Sequence, residues 1–96
     1  MNDANFELGN LIRTYRQDKG LTQLDLAVKL GYESTQFISL FERGLSKIPF
    51  NVLGQLIVIL GIPEKKVIDT LLKSYETSLK TEILLGKKTA KASNSK

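Results

Sequence analysis

The stretch TQLDLAVKLGYESTQFISLFERG, residues 22–44, carries most of what this chain reveals. Thr22 is a good helix N-cap, and Asp25 stands three residues on, close to a capping box. Leu26, Ala27 and Leu30 then mark one buried stripe, and Gly31 stops the helix after little more than two turns. Ser34 is the next N-cap candidate. Ile38 and Phe41, with Phe37 beside them, form the stripe of a second short helix that ends at Gly44. Ala27 is small where one helix must cross closely over another, and Gly31 permits a sharp turn between the two.

Working outward, residues 6–19 read as a helix with Leu8, Leu11, Ile12 and Tyr15 on one face and Gly20 as its stop. Residues 45–49 form a loop, and Pro49 suits the start of a helix. Residues 50–60 are apolar nearly all round, which predicts a fourth helix buried on more than one side. Gly61-Ile62-Pro63 breaks the chain. A fifth helix is expected over residues 63–85, roughly 33 Å long. Its stripe is Ile68, Leu72, Tyr75, Leu79 and Ile83, and Gly86 is its expected end. The fold class is therefore all-α, with five helices in one domain over residues 1–86. Residues 87–96 are Lys, Ser, Thr, Ala, Asn and should form a disordered lysine-rich tail.

The string Thr22-Gln23-x-x-Leu26-Ala27-x-x-Leu30-Gly31, followed by Ile38-Ser39-x-x-Glu42-Arg43-Gly44, resembles the Cro/phage-repressor type of helix-turn-helix, the lambda-repressor-like fold. The resemblance covers about residues 6–72. Gly31 and Ile38 stand seven apart, one more than is usual there, so the turn carries one extra residue. The resemblance implies that the third helix enters the major groove of double-stranded DNA, about 12 Å wide. Thr35, Gln36, Ser39 and Leu40 are then the base-reading candidates. The Gln36 amide suits adenine, the hydroxyls suit several partners, and Leu40 suits a thymine methyl. Gln23, Arg43, Ser46 and Lys47 match the phosphate-contacting positions. Arg16 and Glu42 match an ion pair that ties the first helix to the third, a structural role rather than a DNA contact.

Charge qualifies this picture. The net charge is +4, yet residues 1–86 hold 10 basic and 10 acidic groups. The excess lies in Lys87, Lys88, Lys91 and Lys96, a nucleic-acid arm or a solubilising end. Non-specific DNA affinity comes largely from neutralised phosphates, so the folded part should bind weakly without its sequence. Leu24 and Leu40 are apolar on faces expected to be wet or on DNA, which admits a protein partner there.

The fifth-helix stripe outruns the domain. Leu72, Tyr75, Leu79 and Ile83 are expected to form a homodimer interface, and a fold back onto the same domain is the alternative. Glu82 interrupts a strict heptad.

Cysteine and histidine are both zero, which removes disulfides, the thiolate nucleophile and the commonest base and metal ligand. No carboxylate pair or metal cluster stands out, so no enzyme, cofactor or metal is expected. Gly86-Lys87-Lys88-Thr89 lacks the upstream glycine and strand of a phosphate-binding loop. The start Met-Asn-Asp is acidic and the longest apolar run is Leu56 to Leu60, so a cytoplasmic protein without membrane contact is expected. The function these features support is a sequence-specific transcriptional regulator, expected to be a repressor. The alternatives are an antitoxin and a protein-interaction module of the same fold.

Overall fold

The structure, a computed structural model, describes residues 4–94. The helices are α1 (Ala4–Asp18), α2 (Gln23–Leu30), α3 (Gln36–Glu42), α4 (Phe50–Leu60) and α5 (Glu64–Asn94), and no strand occurs among the described residues. None of these helices is long and apolar enough to cross a membrane.

Each short helix ends for a local reason. Thr22 and Asp25 close a reciprocal capping box: the Asp25 N–H donates to Thr22 Oγ1 at 3.0 Å and the Thr22 N–H to Asp25 Oδ2 at 2.9 Å. Gly31, at φ 84°, takes the left-handed conformation that lets the Tyr32 N–H turn back to the Ala27 carbonyl at 2.9 Å. The start of α3 is one residue later than the Ser34 reading places it. Thr35 is the N-cap but makes no capping bond, while Ser34 Oγ accepts from the Gln36 N–H at 3.3 Å.

The core is small and central. Ile12 of α1, Leu26 and Ala27 of α2, Ile38 of α3 and Leu56 of α4 are at most 1% exposed. Gly9 sets how closely α1 crosses α3. A Cβ there would run into the Phe41 carbonyl oxygen and stand 2.8 Å from that of Glu42.

Two faces differ from the sequence reading. The fourth helix is not buried all round: Leu53, Leu56 and Leu60 face the core, while Phe50 is 75% and Val58 80% exposed. One domain with four other helices cannot cover every side of α4. Phe37 also leaves the core. The buried face of α3 is formed by Ile38, Phe41 and Glu42, the last of them ion-paired to Arg16.

The fifth helix does not end at Gly86. It continues to Asn94, 31 residues in all or about 46 Å, so residues 87–94 of the expected disordered tail are helical. Gly86 lacks the positive φ of Gly20, Gly31, Gly44 and Gly61, which all end or follow helices. A glycine inside a helix costs only about 1 kcal/mol relative to alanine. Leu, Lys and Ala around it are good helix formers, and Thr89 Oγ1 donates back to the Leu85 carbonyl at 3.0 Å. Residues 95–96 lie outside the described residues. The domain core reaches α5 only as far as Val67, with Leu71 packed partly against it. From Tyr75 to Ser93 every side chain is exposed.

Candidate nucleic-acid interface

The geometry of α3 is held from behind. Glu42 at its end is buried and receives Arg16 of α1 in a two-point bond, Nε to Oε2 at 2.6 Å and Nη2 to Oε1 at 3.1 Å. Such a fork matches the planar guanidinium to the carboxylate in one orientation only. The third arm of Arg16, Nη1, donates to the Leu21 carbonyl at 2.7 Å. Gln23, the first residue of α2, adds a bond from Nε2 to Glu42 Oε1 at 3.1 Å. One carboxylate thus joins α1, α2 and α3. Among the described residues no buried side-chain polar atom is left unpaired.

The opposite side of α3 faces outward. Gln36, Ser39, Leu40 and Arg43 stand at i, i+3, i+4 and i+7, one helical face. Gln36 and Arg43 are exposed, whereas Ser39 and Leu40 are half-buried. Thr35 is half-buried at the N-cap, at the edge of this face rather than on the helix. The Arg43 Nε–H points back to the Ser39 carbonyl at 3.4 Å.

The phosphate-contact candidates divide. Arg43 shares the α3 face. Gln23 sits at the start of α2 with its amide engaged by Glu42, leaving one amide N–H and the carbonyl oxygen for another partner. Ser46 Oγ donates to the Lys47 carbonyl at 3.4 Å. The Lys47 ammonium lies 6.0 Å from the centre of the Phe50 ring, beside the start of α4.

Sequence reasoning missed an aromatic neighbour of this face. Phe37 is 48% exposed and stacks on Tyr32 of the turn at 5.1 Å, with Phe41 completing the group at 6.3 Å from both. The signal was the extra residue of the turn: Tyr32 needs a surface to lie on, and Phe37 is one helical step from the outward Gln36. Of the two leucines singled out, Leu24 is 54% exposed and Leu40 is half-buried.

Electrostatically, Asp25 is held below its ordinary value of 3.8, first by the Thr22 backbone N–H and then by the Thr22 hydroxyl. The Lys65 ammonium is raised by its bond to Asp69 one turn later on α5. No group of acidic, histidine or cysteine side chains among the described residues could hold a metal ion.

Comparison with known proteins agrees with this geometry. The helix-turn-helix family matches residues 12–67, a span that runs from α1 through the α2–α3 unit into α5. The clp gene regulator ClgR from Corynebacterium glutamicum is 27% identical over 85% of this chain and 86% of its own, with a TM-score of 0.64. A mutant of the restriction–modification controller protein C.Esp1396I, solved on its highest-affinity operator site, is 26% identical. It covers 77% of this chain and 96% of its own, with a TM-score of 0.61. No curated protein sequence matches. The overall fold is thus shared with these regulators, and the family match over residues 12–67 shows that this chain belongs to the helix-turn-helix family of the Cro/phage-repressor type.

Proposed function

We propose that the chain is a sequence-specific DNA-binding transcription regulator that acts as a homodimer and represses by occupying its operator. The observation that carries this reading is the outward face of α3, Gln36 to Arg43, held rigidly from behind by Arg16, Gln23 and Glu42. A side chain reads a base edge only if its helix is positioned to within a fraction of an ångström, and the buried fork supplies that. The fold is shared with C.Esp1396I, one of whose mutants is solved bound to an operator.

In this reading α3 lies in a major groove. Gln36 pairs with an adenine, Thr35 and Ser39 offer hydroxyls, and Leu40 touches a thymine methyl. Arg43, Ser46, Lys47 and Gln23 meet phosphates on either side, Lys47 after swinging away from Phe50. Two copies place two such helices about one helical turn of DNA apart. The balanced charge of residues 1–86 leaves non-specific attraction to Lys87, Lys88, Lys91 and Lys96.

Selection of random duplexes by the full chain tests this. Enrichment of a pseudo-palindrome with half-sites about ten base pairs apart is the expected result. A single enriched half-site keeps the DNA reading and removes the dimer. No enrichment by folded protein at low salt favours a second reading, a protein-interaction module, for which exposed Leu24 and Phe37 speak. That module should lose its partner when Leu24 is replaced by Asp.

A further inference from the structure

Half of α5 stands clear of the domain, and its surface is ordered in an unusual way. Counted from Leu79, residues stand on one stripe at −4, −7 and −11 (Tyr75, Leu72, Ile68) and at +4, +7 and +11 (Ile83, Gly86, Ala90). At 100° per residue all seven fall within an arc of about 80°. The stripe is symmetric in spacing and asymmetric in bulk: large residues precede Leu79, and small ones follow Ile83. The five large apolar residues, Ile68 to Ile83, are between 42% and 62% exposed.

Two glycines add an independent observation. Gly54 and Gly86 lie inside helices, where glycine weakens the helix relative to alanine. A Cβ on either would meet nothing within 4 Å, and neither has a positive φ, so the protomer itself has no use for them. Close approach of another backbone is what a helical glycine permits. Gly86 is on the α5 stripe. Gly54 lines a groove of about 680 Å³ whose other walls include Phe50, Ile57, Ile68, Leu72 and Tyr75. The bulky half of the stripe is thus also a wall of that groove.

We propose that a second copy of this chain covers the stripe with its own α5, antiparallel, with the two-fold axis at Leu79. The proposal rests on the homodimer reading above and specifies its geometry. Leu79 then meets the partner's Leu79, Tyr75 meets the partner's Ile83, Leu72 the partner's Gly86, and Ile68 the partner's Ala90. At the two outer levels, Leu72 on Gly86 and Ile68 on Ala90, a bulky side chain faces a small residue, and the small-residue half of each helix runs along the groove of the other copy.

Charge selects the same direction. On one flank of the stripe stand Asp69, Glu76, Lys80 and Lys87. Antiparallel pairing brings Asp69 to within two residues, about 3 Å of axial rise, of the partner's Lys87. It brings Glu76 equally close to the partner's Lys80. Glu82, on the other flank, comes level with the partner's Ser74 and Ser78. Parallel pairing would instead set this flank against the other one, where Asp69 and Glu76 meet no basic residue and Glu82 alone faces Lys80 and Lys87. It would also stack Leu72 on Leu72 and leave a gap between the two Gly86 residues.

The chain has no cysteine, so disulfide mapping is clean. In full-length protein, mixing Leu72→Cys with Gly86→Cys should yield a cross-linked heterodimer. Leu79→Cys should link to itself, and Gly86→Cys alone should not. Gly86→Leu should raise the dimer Kd by about tenfold or more, and adding Leu72→Gly should restore it. Self-linking of Gly86→Cys would overturn the antiparallel order. Sedimentation as a dimer without the 72–86 link would overturn this pairing and leave the dimer reading standing. Sedimentation as a monomer would overturn both.

Discussion

Gln23 Nε2 donates to Glu42 Oε1 at 3.1 Å, so the residue that begins α2 is bonded to the residue that ends α3. The same carboxylate holds Arg16 from α1. The angle between the two helices of the motif is therefore set by a buried charge as well as by apolar contact. A change at Glu42 reaches the outward side of α3 without touching it.

Arg16→Ala leaves the Glu42 carboxylate buried with only Gln23 as partner. Loss of one member of a buried pair typically costs ~3–5 kcal/mol. Urea denaturation should show a loss of that order. The double change Arg16→Leu with Glu42→Leu should recover much of it, because no unpaired charge then remains. Equal losses in the single and double variants would remove the pair from any role in positioning α3.

Gln36 and Arg43 should separate in a binding assay. Gln36→Ala should lose ~1–3 kcal/mol on the selected operator and relax preference at one base pair. Arg43→Ala should weaken all duplexes alike and reduce the salt slope by about 1. Thermal unfolding of both should stay near that of the unchanged protein, since both side chains are exposed. Uniform weakening by Gln36→Ala would move Gln36 from base reading to the backbone.

The capping box should appear in the pH dependence of stability. Asp25 is held below its ordinary value of 3.8 in the fold. A lowered carboxylate stabilises the fold above its unfolded pKa, and that contribution disappears as pH falls through the folded one. Asp25→Asn should therefore flatten the stability profile below about pH 4. Thr22→Ala should do the same and also cost about 1 kcal/mol at neutral pH through the lost cap. Identical acid limbs in all three proteins would contradict this.

Gly9→Ala should be among the most damaging single-methyl additions. The new Cβ meets the Phe41 and Glu42 carbonyl oxygens, backbone atoms that cannot swing aside. Overpacking of this kind costs ~1–3 kcal/mol. Gly54→Ala, which meets nothing in the protomer, should leave thermal unfolding of the monomer unchanged or raised. A Gly9→Ala protein as stable as the parent would mean that α1 can lift from α3 at no cost.

The helices were legible because their signals are local. Thr22 with Asp25, Gly31, Gly44 and Pro49 act on their own backbone, so spacing was enough to place four of the five helices. Where a stop signal was ambiguous the reading failed. Gly86 has the residue type of a C-cap but the dihedrals of a helix, and residue type alone does not separate these. The pattern of the helix-turn-helix family was also legible, since it fixes apolar, small and charged positions together at short range.

What depends on several elements at once was not legible. Phe37 reads as a neighbour of the buried stripe, yet in the fold it is 48% exposed and lies on Tyr32. The Arg16–Glu42 pair followed from the family resemblance, but the bond that Gln23 adds to the same carboxylate shows only once α2 and α3 meet. Lys47 matches a phosphate-contacting position of the family, and only the fold shows its ammonium 6.0 Å from the centre of the Phe50 ring. Gly9 carries no sign of its role until α3 is laid across it. Helix formation depends on neighbours within four residues, so the chain specifies it directly. Burial depends on which elements meet, and that is settled only when all five helices share one core.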